Sequence, residues 1–475
     1  MITKTAWKNV WRNKIRSFVV IASVAVGIFA GTFSVAVMEG AIAQRLDDAL
    51  NHEVAHIQIT HAEFRANNDL NFLLEHADKM AEKIRSLEEV EAVSYRLVVT
   101  GMANTASKSS GVIINGIDTE REKQVLGLDK ILKEGSGSYL EKDDAGNRAY
   151  IGEDLAKYLN IIRFTLTDAI VDSLMAKGVP PETAEKLQPL AGTRFKNERT
   201  FRKKMESVFT REEQKEYGPL ISEISRSFRK NARLALTFVD RDNYHTGGMF
   251  RINGLYDLTN NMLESTHVFV HYEDLARLTG IPPGQGHLIM VRLNDVDQTE
   301  PVTSKLKELF PGTEVMNWKQ IQPELAMLEG MARMMYGFFM VIILAALAFG
   351  IVNTMLMVVL ERTKELGMLA AIGMNKKKVF RMILTESVFL SLVGGVIGMI
   401  ISKIVIALTA RQGINFSGYK EGFEAMGFTS HIYPHIGNDF FILVTILIIL
   451  TGILAAIYPA LKALKLDPAD ALRTE

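Results

Sequence analysis

Five consecutive residues, His52-Glu53-Val54-Ala55-His56, carry the spacing of a zinc hydrolase. On a helix, H-E-x-x-H puts both imidazoles on one face to hold a zinc ion, and the glutamate activates water. Here the pattern runs straight into His56-Ile57-Gln58-Ile59-Thr60, whose alternation predicts a strand over 54–60. On a strand the imidazoles would stand about 13 Å apart at roughly 3.3 Å per residue. Zinc takes its ligands at about 2.0–2.1 Å and cannot bridge that gap. No third ligand is evident downstream. His267 and His271, four apart around Val268-Phe269-Val270, meet the same obstacle. Cysteine is absent, which excludes disulfides, thiolate metal sites and cysteine nucleophiles and fits an oxidising exterior. No G-x-x-x-x-G-K-[ST] phosphate loop occurs, so the chain is not expected to be its own ATPase. No catalytic residue and no metal ligand is assigned, and no cofactor is expected on this chain.

The elements around these residues belong to two kinds of body. A chain of 475 residues that is 48% hydrophobic and 23% charged averages a membrane part with a soluble part. Formal net charge is zero, which gives no support to nucleic-acid binding. Stretches 18–38, 334–360, 382–408 and 440–461 are long and apolar enough to cross a hydrocarbon core, which needs about 20 residues. The first resembles a secretory signal in having Ala41-Ile42-Ala43 behind it, but it exceeds the roughly 7–15 apolar residues of a signal. Lys4, Lys8, Arg12, Lys14 and Arg16 precede the first stretch, and Arg362, Lys364, Lys376, Lys377, Lys378 and Arg381 lie between the second and third. The loop 409–439 has only Arg411 and Lys420, whereas the tail 462–475 has Lys462, Lys465 and Arg473. The positive-inside rule then puts residues 1–17, the connecting segment 361–381 and the tail in the cytoplasm, and residues 39–333 outside.

Gly27 and Gly31, Gly394 and Gly398, and Gly452 and Ala456 are small residues four apart, the spacing that lets helix backbones approach closely. Glu386 and Lys403 lie near opposite ends of the third apolar stretch, where snorkelling to the interface is the expected behaviour.

In the outer domain, strand 54–60, amphipathic helix 72–87 and strand 93–99 form one β-α-β unit, and strand 287–293, helix 299–310 and strand 313–317 form another. Two such units around a central segment predict a split ferredoxin-like (porter) subdomain. The middle, with strands 112–117, 234–240, 250–255 and 268–270 and a helix over 152–159, predicts a second mixed β subdomain. Between them, 163–233 reads as a charged helical insertion. From 194 to 233 it holds 12 Lys or Arg against 6 Glu, which suits either a solvated face or a surface for an acidic partner. The fold class is thus membrane α-helical, with four transmembrane helices, plus an α+β extracytoplasmic domain.

The segment Glu361-Arg362-Thr363-Lys364-Glu365-Leu366-Gly367-Met368-Leu369-Ala370-Ala371-Ile372-Gly373 resembles the signature of the FtsX/MacB-like permease family. Similar to that family, too, are Leu384-Thr385-Glu386, Gly394-Gly395, Tyr458-Pro459-Ala460 and Leu466-Asp467-Pro468-Ala469-Asp470-Ala471-Leu472-Arg473. At the other end, Ala6-Trp7-Lys8-Asn9-Val10-Trp11-Arg12-Asn13-Lys14 resembles its amphipathic N-terminal helix, and Ile114-Asn115-Gly116-Ile117-Asp118 and Ile151-Gly152-Glu153-Asp154-Leu155-Ala156 its periplasmic core.

On its own residues 361–381 reads equally as a solvated connector. The resemblance implies more: a multi-pass permease of the cell inner membrane whose coupling helix sits on a separate ABC ATPase, the subunit that would bind ATP and Mg. By carry-over, Glu361, Arg362, Lys364, Glu365, Gly367 and Gly373 would shape or touch that surface. The N-terminal helix around Trp7 and Trp11 would lie along the membrane lipids. Nucleotide-driven dimerisation of two ATPases would move the helices, and the outer domains of two permeases, identical or not, would open and close. Within the family the layout looks most like LolC/LolE-type permeases, which release lipoproteins to a periplasmic chaperone. The alternatives are a MacB-like efflux or secretion permease with an adaptor, and an FtsX-like regulator of a cell-wall hydrolase.

Overall fold

The computed structural model describes residues 2–142, 146–176, 179–195, 198–229, 231–372, 374–419, 422–423 and 426–465. Two compact units emerge, a helical one from Met1–Arg45, Glu324–Phe423 and Phe428–Glu475, and an α/β one from Leu46–Pro323 with Glu424–Gly427.

Among the described residues, four helices are long and apolar enough to cross a membrane. They span Lys14–Asp48, Pro323–Glu361, Lys376–Gln412 and Asn438–Leu464. All four run past the apolar stretches that announce them, because helix-compatible polar residues continue the hydrogen-bond ladder beyond the last apolar turn. The N-terminal helix is shorter than segment 1–17 and covers Ile2–Val10. It stops where the Ser17 hydroxyl donates to the Val10 carbonyl and the Ser17 N–H to the Asn13 carbonyl, at 3.1 Å. Segment 361–381 is likewise not one piece: a helix at Thr363–Ala371 is separate from the third long helix. Asn375 starts that third helix, its side chain accepting from the Lys377 N–H at 2.9 Å. Gly373, Lys420 and the 466–473 motif lie outside the described residues.

The α/β unit is built on strands β1 (Ile57–His61), β2 (Val90–Asn104), β3 (Ser109–Ile117), β4 (Arg148–Gly152), β5 (Ile162–Thr165), β6 (Arg194–Phe195), β7 (Arg226–Phe228), β8 (Arg233–Val239), β9 (His245–Tyr256), β10 (His267–His271), β11 (Leu288–Leu293) and β12 (Thr313–Asn317). The order β12-β1-β11-β2, antiparallel throughout, is that of a ferredoxin-like sheet. Helices Ala77–Arg85 and Thr299–Leu309 close a core of Ile57, Ile59, Ile84, Val291 and Leu306 against it. The chain leaves this sheet after β2 and returns at β11, so the subdomain is split as its two β-α-β units predict.

Between those points lies the second β subdomain. The long strand β2 pairs β11 through its first half and β8 through Gly101–Asn104. Since β8 also ends the series β3-β10-β4-β9-β8, that pairing closes six strands into a ring. Closure needs Gly101, where a Cβ would stand 2.6 Å from the Thr237 carbonyl oxygen. Alternate residues Leu97, Val99, Ile114, Leu236, Phe250 and Val270 fill the interior. Each large side chain buried there contributes about 1.5–3 kcal/mol.

The insertion departs from the helical reading. It holds a three-stranded sheet, β6-β5-β7, beside helices Asp168–Ala176, Pro181–Glu185, Glu198–Val208 and Arg211–Ser225. It also buries its own core of Phe164, Leu174, Phe201, Met205 and Ile221, with Phe164 stacked on Phe201 at 4.4 Å.

Candidate functional site

The acidic and basic residues around the second helix end converge on one joint of the helical unit. Arg362 is the hub: its Nε lies 3.0 Å from Glu365 and its Nη1 3.4 Å from Glu386. Arg12, just past the N-terminal helix, reaches the same Glu365 at 3.0 Å. Trp7 packs edge-on against Phe389 of the third long helix at 5.4 Å, and Ala6 and Val10 are buried beneath it. Hydrogen bonds and ion pairs thus join the N-terminal segment, the Thr363–Ala371 helix and the third long helix.

Among the sequence-derived candidates, Glu361, Arg362 and Glu365 meet here, Lys364 is solvent-exposed beside them, and Gly367 is buried within its helix. Sequence reasoning missed Arg12, counted there only as a flanking positive charge. It also misjudged Glu386. That carboxylate does not snorkel; it is buried and held by Arg362, while Lys403 is exposed. Both residues lie in segments that resemble the family's motifs, and the signal for pairing them was their opposite sign near adjoining helix ends.

The glycines sit on seams of the same unit. A Cβ on Gly27 would meet Leu347 Cδ2 at 2.8 Å, and one on Gly31 would meet Ile343 Cδ1 at 2.8 Å, both on the second helix. A Cβ on Gly394 would stand 2.8 Å from the Ile21 carbonyl oxygen, and one on Gly398 2.6 Å from that of Ala25. Gly452 lies against Ser391, and its carbonyl accepts from the Ser387 hydroxyl at 3.0 Å. The first helix is therefore wedged between the second and third, with glycine at each closest approach.

In the α/β unit the H-E-x-x-H residues go separate ways. The strand starts at Ile57 rather than at 54, because Ala49–Val54 form a π-helical turn and Ala55 turns the chain at φ 58°. His52 Nδ1 donates to the Leu126 carbonyl at 2.8 Å, and Glu53 accepts from Asn260 Nδ2 at 2.8 Å and Gln322 Nε2 at 3.2 Å. His56 Nδ1 accepts from the Leu293 N–H at 2.9 Å. His267 and His271 stand at the two ends of β10.

One carboxylate group, Glu153, Asp257 and Glu264, comes together among the described residues. Lys133 already bonds Glu153 and lies 3.9 Å from Asp257. Burial, with Asp154 and Asp257 nearby, pushes Glu264 up to about 8, so at neutral pH it is a neutral acid and a poor ligand for a metal.

Burial, with Arg292 nearby, lowers His56 to about 4, and burial likewise lowers His287, which accepts from the Val98 N–H at 3.0 Å, to about 4. Their folded values lie below the unfolded 6.5. The stability they contribute is therefore complete above pH 6.5 and falls as pH drops toward 4. Each is expected to lose about 2 kcal/mol between pH 7 and pH 5. Urea unfolding of the α/β unit followed at both pH values within the intact chain checks this, and equal midpoints would show that the imidazoles are not neutral in the fold.

Four membrane-length helices, a charged joint at one set of helix ends and an α/β domain with a split ferredoxin-like sheet define a multi-span membrane protein with a folded domain outside the bilayer. Residues 337–468 match the FtsX-like permease C-terminal family, and residues 17–171 match the MacB-like periplasmic core domain. The chain belongs to the FtsX/MacB-like permeases.

Among relatives, it is 38% identical over 126 residues to the pyoverdine export ATP-binding/permease protein PvdT of Pseudomonas entomophila (strain L48), an alignment covering 26% of this chain and 16% of that protein. It is 22% identical over 236 residues to the lipoprotein-releasing system transmembrane protein LolC of Xylella fastidiosa (strain Temecula1), covering 48% of this chain and 55% of LolC. The chain covers between 16% and 55% of the lengths of the curated relatives it matches. The crystal structure of the periplasmic region of MacB from Actinobacillus actinomycetemcomitans aligns with 13% identity and TM-score 0.29, over 60% of this chain and 98% of that one.

Proposed function

We propose that this chain is the permease subunit of an ABC transporter that works by mechanotransmission, driven by an ATPase on another polypeptide. The observation that carries the reading is the Arg12–Glu365–Arg362–Glu386 joint. An ATPase pressing on the Thr363–Ala371 helix would move the third long helix through Arg362 and Glu386, and the N-terminal segment through Glu365 and Arg12. Nucleotide and Mg would belong to the ATPase, and a second permease would complete the assembly. In this reading the N-terminus and the connecting helix face the cytoplasm, and the α/β unit is periplasmic in the inner membrane.

For the cargo we favour lipoproteins, lifted from the membrane and passed to a periplasmic chaperone. The LolC alignment, spanning more than half of that protein, supports this. Export through an adaptor is the second reading, favoured by the higher identity to PvdT over a shorter stretch.

The test uses the absence of native cysteine. In Lys364→Cys the new thiol should crosslink to a co-purifying ATPase, and Glu365→Lys should lower ATP hydrolysis by the complex about tenfold. Purification without any ATPase would sink the reading. A lipoprotein trapped on the α/β unit would favour release, and a bound adaptor would favour export.

A further inference from the structure

The large sheet of the α/β unit has a second face. On β1, Ile57 and Ile59 point into the helix-covered core, so Gln58 and Thr60 point the opposite way. Side chains cross that opposite face in adjoining rows. Thr60, Leu288 and Arg96 are aligned on β1, β11 and β2, and Val98, Asn115 and Phe269 on β2, β3 and β10. Together with Phe64 and residues of the π-helical turn they line a cavity of about 310 Å³. Small-ligand pockets begin at about this size, running from roughly 300 to 1,000 Å³.

A sheet face built only for packing would be apolar, whereas this one keeps hydrogen-bonding capacity in reserve. Asn115 is 3% exposed, and its side-chain bond runs from Nδ2 to the Ile113 carbonyl at 3.3 Å, within its own strand. That bond sets the amide's orientation and leaves Oδ1, an acceptor, without a partner among the described residues. Arg96 is 4% exposed, and its Nε and Nη2 both donate to the Glu122 carboxylate. Its Nη1 has no acceptor among the described residues. Neither Asn115 Oδ1 nor Arg96 Nη1 is fully enclosed by protein, so each meets the cavity.

The charges select against an ion. Glu122 neutralises Arg96, and Glu314 lies 3.2 Å from Arg65. Burial, with Arg96 nearby, lowers His267 on the same wall to about 4, so its ring is neutral at neutral pH. An anion would lose its hydration without meeting an unpaired cation, and a cation would be brought beside two guanidinium groups. Water alone would serve the polar atoms but wet Phe64, Phe269, Leu288 and Met290 inside the fold.

We propose that this cavity binds a small uncharged amphiphile whose head is a primary amide or a hydroxyl. Arg96 Nη1 donates to the oxygen of the head, and the head's own N–H or O–H donates to Asn115 Oδ1. The apolar body lies against Phe64, Phe269, Leu288 and Met290. An ester accepts from Arg96 but offers nothing to Asn115. The assignment lies wholly within the α/β unit and does not depend on the transport reading.

Azioctanol, an aliphatic alcohol carrying a photoreactive diazirine, is the probe. It is applied to the full chain in phosphatidylcholine nanodiscs, and adducts are mapped by peptide mass spectrometry. Adducts are expected on β10, β11 or the segment 256–263. Octanamide should displace them, while ionised octanoate and methyl heptanoate should each need at least about fivefold higher concentration. Val98→Phe, which fills the cavity with a larger side chain, should abolish labelling of those segments. Asn115→Leu, of similar volume, should weaken octanamide about fivefold, the worth of one hydrogen bond. Adducts confined to the membrane-length helices would overturn the proposal, and so would displacement by octanoate or methyl heptanoate as effective as that by octanamide. Both results are read on the wild-type chain. Undiminished labelling in Val98→Phe, or undiminished octanamide competition in Asn115→Leu, would overturn it as well.

Discussion

Arg362→Ala is expected to destabilise the helical unit by about 3–5 kcal/mol, because it strands a buried carboxylate. The side chains of Arg362 and Glu386 are only 15% and 6% exposed, so water cannot replace the lost partner. The neighbouring pair gives the contrast. Arg12 and Glu365 are 51% and 48% exposed, a setting in which an ion pair is worth about 0–1 kcal/mol. Arg12→Ala should therefore hardly shift thermal unfolding in detergent, while Arg362→Ala should lower it sharply. Adding Glu386→Gln to Arg362→Ala removes the stranded charge and should recover most of the loss. If the double variant were as unstable as the single one, the damage would lie in lost packing around Arg362 and not in the pair.

The second large effect is steric. Gly398→Val places a Cβ 2.6 Å from the Ala25 carbonyl oxygen and 3.1 Å from the Ala25 Cα, and backbone cannot swing aside. A loss of about 3 kcal/mol is expected, at the upper end of ordinary overpacking. Gly27→Ala should be milder, since its new methyl meets the movable tip of Leu347. Gly350→Ala is the control, with nothing within 4 Å of the added atom. Thermal unfolding of the three variants in one detergent should rank them in that order. Equal midpoints would mean that the first and third helices do not touch through these glycines.

Elements whose signal is local were legible in the sequence, and those that depend on a distant partner were not. The membrane-length helices follow from uninterrupted apolar runs, and the ferredoxin-like sheet from β-α-β order on either side of the middle segment. Ring closure was hidden because β2 reads as one strand, and nothing along it says that its last four residues change partner from β11 to β8. The insertion sheet was hidden by size, since β6 and β7 have two and three residues in a charged setting. At the joint, Glu361, Arg362 and Glu365 stood out through the family resemblance. Arg12 lies 353 positions from Glu365, and no periodicity connects them. The H-E-x-x-H motif was dismissed on the premise of a strand from 54 onward, whereas Ala49–Val54 form a π-turn that no spacing rule anticipates and the strand begins only at Ile57.

Ile162 at the start of β5 is paired with Phe228 at the end of β7, so the chain enters and leaves the insertion side by side. With its own hydrophobic centre and adjoining doorposts, this lobe behaves as a detachable cassette. A tight hairpin could replace everything between those two residues and leave the six-stranded ring intact, so that sequence length in this stretch is free to vary while the parent scaffold stays the same.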